Sequence, residues 1–192
     1  MFKVKKKTII SLMGVDGSGK TTVAKKLIKK FQGSKYLHLK PYLFFKDRRT
    51  VIKNPHLQKS SSYLFSILRL LSWLISYKIF FLLNQNKKIY FFDRYAHDII
   101  IDPKRYKSNL SLNLTKYILK FFPKPNLWIF LNPSVKTIKS RKIELNDNEL
   151  KRQIKDYINF FRNKKNLLMV NTATEKDKTI KKISIKIRDL AK

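Results

Sequence analysis

The sequence predicts an α/β fold, a five-stranded parallel sheet with helices on both faces. Two observations carry the prediction: short apolar runs alternate with helix-period stretches along the chain, and a glycine-rich loop lies between the first strand and the first helix. Thr8 to Met13 is an apolar run and reads as the first strand. Lys20 to Gln32 keeps helical spacing and stops at Gly33; Tyr36 to Leu39 is a second short strand, closed by Pro41. A polar stretch from Lys46 to Ser61 leads into a long apolar helix, Ser62 to Leu83. Lys88 to Asp93 is β-prone and ends in a carboxylate, so it reads as the third strand. Leu127 to Leu131 and Leu167 to Asn171 supply the fourth and fifth. Helices over Leu112 to Phe122, Ser134 to Lys142 and Asn148 to Lys164 alternate with them, and a basic helix starts near Glu175. Strands separated by helices pair in parallel through crossovers. With no internal repeat and no linker, residues 1–192 read as a single domain.

The helix over 62–83 is long enough to span a bilayer, but Arg69 and Lys78 lie inside it, and each charge costs about 2.5–3.5 kcal/mol near a helix centre in lipid. A core helix is the expectation. Leu64, Ile67, Leu68, Leu71, Leu74, Ile75, Ile79 and Leu82 are assigned to the core face. Trp73, Tyr77 and Phe80 are left to pack on something further, a second subunit or a membrane surface.

The chain has 44 Lys plus Arg against 12 Asp plus Glu, a net charge of +32. That excess alone would suggest nucleic acid or an anionic membrane surface as partner. Yet only nine of the 44 are Arg, and the chain is crowded with Lys, Ile, Asn and Phe, the residues of A/T-rich codons, so base composition accounts for most of the excess. At 43% hydrophobic and 13% aromatic the chain can bury a core. It has no cysteine, which excludes disulfides, thiolate metal sites and cysteine nucleophiles. The basic start is followed by a short apolar run with no small-residue cleavage site, so no signal peptide is read and a cytoplasmic location is expected.

Gly14-Val-Asp16-Gly17-Ser18-Gly19-Lys20-Thr21 matches the phosphate-loop pattern G-x-x-x-x-G-K-[ST] in the strand-to-helix setting that the pattern requires. Three of the four glycines in the chain are spent here. Glycines let the backbone curl until its N–H groups face phosphates, Lys20 reaches the β and γ oxygens, and Thr21 offers a hydroxyl to Mg²⁺. Asp93, at the end of a neighbouring strand, can hold Mg²⁺ through water or orient an attacking oxygen, and Arg94 can grip an acceptor phosphate. The competing reading makes Asp93 a helix cap and Arg94 a surface charge.

Gly14 to Thr22, followed some 70 residues on by Asp93-Arg94-Tyr95, resembles the thymidylate kinase family of P-loop nucleoside monophosphate kinases, and the order of strands and helices extends the resemblance over nearly the whole chain. The resemblance implies a three-layer P-loop NTPase fold. It also implies that Asp16 meets the acceptor sugar or the metal, that the loop through Thr22 holds ATP and Mg²⁺, and that Asp93, Arg94 and Tyr95 attend the acceptor. Arg141, Arg152 and the Glu144 to Glu149 stretch resemble the family's lid, here over 141–152. With Gly17 and Ser18 where a loop arginine would stand, the catalytic arginine falls to Arg141 or Arg152.

The acceptor half departs from the family. Leu39-Lys40-Pro41 stands for its Arg-Glu-Pro, Asn132 replaces an acid, and Ala96-His97-Asp98 through Asp102 and Arg105 replaces the residues that contact the base. His97, Asp98, Asp102 and Arg105 are read either as an acceptor cluster or as a solvated helix face with a packing histidine. The expected activity is ATP- and Mg²⁺-dependent phosphorylation of a nucleoside monophosphate, dTMP above others. The alternatives are a kinase for a sugar or metabolite, and a nucleic-acid or membrane-surface protein with a regulatory nucleotide site. A homodimer through the 62–83 helix is the expected assembly; nucleic acid is not an expected partner.

Overall fold

Parallel strands β1 (Thr8–Met13), β2 (Lys35–His38), β3 (Ile89–Asp93), β4 (Leu127–Leu131) and β5 (Leu167–Val170) form one sheet in the order β2-β3-β1-β4-β5. These strands belong to a computed structural model that describes residues 6–41, 59–85, 88–141, 146–173 and 176–191. Most of the polar stretch expected over Lys46 to Ser61, together with Lys142, Glu144 and Glu175, lies outside the described residues. The helices are α1 (Lys20–Lys30), α2 (Tyr63–Leu83), α3 (Leu112–Leu119), α4 (Val135–Arg141), α5 (Asp147–Phe161) and α6 (Lys176–Ala191). The expected order of elements is observed, with boundaries moved by a few residues. In the register, Leu12 of β1 lies beside Asp93 of β3, which brings the carboxylate to the strand end that carries the loop.

The chain divides into two compact units: Met1–His38 with Asn86–Tyr95 and Lys124–Lys192, and Leu39–Gln85 with Ala96–Pro123. The first holds the whole sheet. Strand side chains alternate between faces, and the two faces are filled differently. Ile10, Leu12, Phe91, Ile129 and Leu131 join Val23, Ala24 and Leu27 of α1 and Ile180, Ile183 and Ile187 of α6 in one apolar cluster. The other face is aromatic: Phe130 stacks on Tyr157 of α5 at 5.3 Å between ring centroids and lies 5.2 Å from Phe161. Helices on both faces make the sheet the middle of three layers.

In the second unit the burial of α2 reverses the expectation. Ser66, Leu70, Trp73, Tyr77 and Phe81 are buried, whereas Leu64, Leu68, Leu71, Ile75 and Leu82 are exposed on one stripe. The helix is apolar nearly all round, so hydropathy cannot set its phase; polar and aromatic partners do. Trp73 meets Tyr106 edge-on at 5.4 Å, Tyr77 meets Phe122 at 5.4 Å, and the Tyr77 hydroxyl donates to the Leu39 carbonyl. Ser66 Oγ accepts from the Asn109 N–H at 3.1 Å, and Arg69 donates to the Tyr106 carbonyl and to Ser61 Oγ. By length and composition α2 could cross a membrane, with a mean hydropathy of 1.6 over its most apolar window, a third of which is buried.

The aromatic layer makes a checkable claim. Phe130→Ala should lower unfolding free energy by about 3–5 kcal/mol, as for other buried aromatic truncations, when followed by urea denaturation; a loss under about 1 kcal/mol would mean the layer is loosely packed.

Candidate active site

The loop after β1 turns on its glycines. Gly14 has φ +146°, and a Cβ there would lie 2.6 Å from the Leu131 carbonyl oxygen and 2.8 Å from Ser18 Oγ, so no other residue fits without displacing β4 or the loop. Gly19 at φ +92° caps α1 with no side-chain cap hydrogen bond, and a helix N-terminus of this kind suits an anion. The Tyr157 hydroxyl donates to the Gly14 carbonyl at 3.2 Å, which ties α5 to the loop.

Lys20 folds back onto the loop. Its Nζ donates to the carbonyls of Gly14 (2.7 Å) and Val15 (2.8 Å) and to Ser18 Oγ (3.4 Å), and lies 3.8 Å from Asp16 Oδ1. Arg94 donates to the same Asp16 oxygen. Asp93, buried at the end of β3, receives two hydroxyls on Oδ2, from Thr21 at 2.6 Å and from Tyr36 of β2 at 2.9 Å. A threonine hydroxyl that gives its proton to a carboxylate keeps its lone pairs for a cation. The Thr21–Asp93 pair therefore fits Mg²⁺, a hard ion that takes one or two protein oxygens and completes its shell with phosphate and water. Thr22 lines a small recess with Val23, Lys26, Thr172, Thr179 and Ile180.

Of the two arginines expected in a lid, Arg141 faces the loop. It donates to Thr172 Oγ1 (3.1 Å) and to the Thr172 carbonyl (2.8 Å), and a Cβ on Gly19 would stand 3.7 Å from its Nη1. Arg152 instead bonds Glu149 and Asp156 on its own helix, at 2.5 and 2.6 Å. Its charge is neutralised where it stands. Between the two, 142–145 lie outside the described residues.

Two expectations need correction. Tyr95, taken as an acceptor residue, is fully buried, edge-on to Phe92 at 5.0 Å and to Trp128 at 5.8 Å, and burial pushes its hydroxyl pKa well above the usual value. It is a core residue. Asp98 and Asp102 do not line a helix face, because 96–100 and 104–106 are short 3₁₀ turns. Asp98 is fully buried and accepts from the Tyr106 hydroxyl at 2.7 Å. Asp102 accepts from Arg105, at 3.2 Å from its backbone N–H and 3.1 Å from Nε. These carboxylates brace the turns of the second unit. His97 is likewise buried, 6.5 Å from the Phe122 ring. Tyr36, Tyr157 and Thr172 were missed, and each is a polar residue that meets a loop or strand-end group distant in sequence.

A five-stranded parallel sheet, a phosphate loop between β1 and α1, and a carboxylate ending β3 define a P-loop phosphotransferase. The chain belongs to the thymidylate kinase family, whose sequence model matches residues 12–189, and its reaction is phosphoryl transfer involving nucleotides. No curated protein matches it in sequence. Thymidylate kinase from Candida albicans is similar in structure, with a TM-score of 0.68 at 19% identity over 97% of this chain and 94% of that one. Deoxyadenosine kinase from M. mycoides, with dCMP and dCDP bound, gives a TM-score of 0.64 at 17% identity over 95% and 100%.

Gly14→Ala should weaken ATP binding at least about tenfold, roughly 1.4 kcal/mol, by calorimetric titration with the far-UV spectrum unchanged; wild-type affinity would show that the close approach to Leu131 is not needed.

Proposed function

We propose that the chain transfers the γ-phosphoryl group of ATP, with Mg²⁺, to a nucleoside monophosphate, and that dTMP is the acceptor, giving dTDP and ADP. The observation that carries this is the convergence of Lys20, Thr21, Asp93, Arg94 and Asp16 on one loop. Phosphates arriving at the N-terminus of α1 take Lys20 from the loop carbonyls. Arg94 and Asp16 hold the acceptor, and an acceptor phosphate oxygen attacks the γ phosphorus in line as the bond to the bridging β-phosphate oxygen breaks and ADP leaves. Mg²⁺ beside Thr21 and Asp93 supplies charge neutralisation. Arg141 provides the cation expected of the lid. One kinase domain over 1–192, working in the cytoplasm, goes with this assignment, and the lysine excess is left to composition rather than to nucleic acid.

A second acceptor class, a sugar or metabolite, is favoured by one feature: the segment after Arg94 lacks the base-contacting residues of the family. Coupled ADP release across dTMP, dUMP, other monophosphates, nucleosides and sugars separates the two. Turnover with dTMP that falls at least about a hundredfold in Lys20→Ala, a loss expected for a phosphate-gripping cation, supports thymidylate kinase activity. Silence with every nucleotide beside measurable ATP binding moves the search to other acceptors.

We also propose that a second copy of the chain covers the exposed stripe of α2. Leu64, Leu68, Leu71, Ile75 and Leu82 are exposed along one stripe of this helix, and Tyr63, Phe65 and Leu83 are exposed at its ends. In so basic a protein, the lack of acids and the scarcity of cations on α2 favour self-association there. Leu71→Glu with Ile75→Glu should convert a dimer to a monomer in analytical ultracentrifugation. A wild-type monomer, or a mutant dimer, would refute it.

A further inference from the structure

Thr172, just past β5, joins two parts of the nucleotide machinery that are far apart in sequence. Its Oγ1 donates to the Ser18 carbonyl at 2.8 Å and accepts from Arg141 Nη1 at 3.1 Å, while its own carbonyl accepts from Arg141 Nη2 at 2.8 Å. The side chain is buried. A guanidinium held by two oxygens of one residue cannot swing freely, and this one is held on the Gly19 side of the loop, where a Cβ added to Gly19 would stand 3.7 Å from its Nη1. That is an odd station for a structural cation. The N-terminus of a helix carries partial positive charge and disfavours a second one; the placement makes sense once an anion lies between them.

We propose that Thr172 is a positioning residue for nucleotide binding: its hydroxyl fixes the Arg141 guanidinium against Ser18 and Gly19, so that Arg141 rather than Arg152 meets the bound phosphates. This rests on the assignment of the loop as the ATP site. The hydroxyl is essential to the arrangement because it acts in both directions. Valine has nearly the same shape but leaves the Ser18 carbonyl without its donor and Arg141 Nη1 without its acceptor, whereas serine keeps both bonds.

The test is calorimetric titration of the full chain with Mg-ATP, which needs no knowledge of the acceptor. Thr172→Val should raise Kd about five- to tenfold, the scale of one charge-assisted hydrogen bond. Thr172→Ser should stay within about twofold of wild type. In an Arg141→Ala background, adding Thr172→Val should change Kd by less than about twofold, because the hydroxyl acts through that arginine. An unchanged Kd in Thr172→Val, an equal loss in both backgrounds, or a failed serine rescue at unchanged melting temperature each overturns the proposal. Should the valine variant not fold, Arg141→Lys decides, since an ammonium cannot bond both oxygens as the guanidinium does: a loss like that of Arg141→Ala supports the proposal, and wild-type affinity overturns it. A wild-type chain that does not bind Mg-ATP would instead refute the assignment of the loop itself.

Discussion

Lys20 keeps its ammonium group inside the loop it serves, only 6% exposed, and a charge so far from water persists only with partners on every side. Two carbonyls and a hydroxyl supply them, with Asp16 close behind. Arg94 shares Asp16, and Asp93 stands behind Thr21. Two cations and two carboxylates thus balance within a protein of net charge +32. Lys20 and Arg94 are matched by Asp16 and Asp93, which leaves Arg141 as the further cation beside the loop, and the net positive charge of the chain draws anions in over longer range. Phosphate oxygens need only replace the loop carbonyls around Lys20, which makes the apo loop a preorganised receptor.

That receptor is anchored by ordinary packing. Gly14 lies under the Leu131 carbonyl, its own carbonyl accepts from Tyr157, and Tyr157 stacks on Phe130 at 5.3 Å. A change in the aromatic layer beneath α5 therefore reaches the loop through two contacts. From the same side of β1, Thr172 reaches Ser18 from the end of β5. With Asp93 of β3 bonding Thr21 on the other side of β1, strand ends hold the loop from both directions, as expected where ligands bind at the carboxyl edge of a parallel sheet.

The strands and the loop were legible in the sequence because they depend on local signals: apolar runs of strand length, and glycines where the backbone must take positive φ. The phase of α2 was not legible. A helix apolar nearly all round offers no amphipathic contrast, and its orientation is set by Ser66, Trp73 and Tyr77 finding partners 33 to 45 residues away in sequence. For Asp98 and Asp102 the helix-face alternative fails for a related reason: spacing of i and i+4 implies one face only in an α-helix, and this segment makes 3₁₀ turns. By sequence Arg152 is as eligible as Arg141, but Glu149 and Asp156 on its own helix pair with it. Tyr36 and Thr172 carried one usable signal, a polar side chain near the carboxyl end of a strand, but the groups they serve are named by the fold.

Arg94 shows how the chain brings two consecutive residues to one task. Side chains alternate along a strand, so Asp93 and the next residue should point to opposite faces of the sheet. Yet Asp93 accepts from Thr21 while Arg94 donates to Asp16, both on the phosphate loop. The break lies at Arg94 itself, whose φ of 71° is left-handed, a conformation that costs a side-chain-bearing residue on the order of 1–3 kcal/mol. Glycine would relieve that strain and lose the guanidinium. The backbone bond from Arg94 N–H to the Leu12 carbonyl, at 3.0 Å, holds the turn in place, and Tyr95 is directed into the core against Trp128. Strain, ion pair and core anchor fall on adjacent residues because the site needs an acid and a base side by side where a regular strand would separate them.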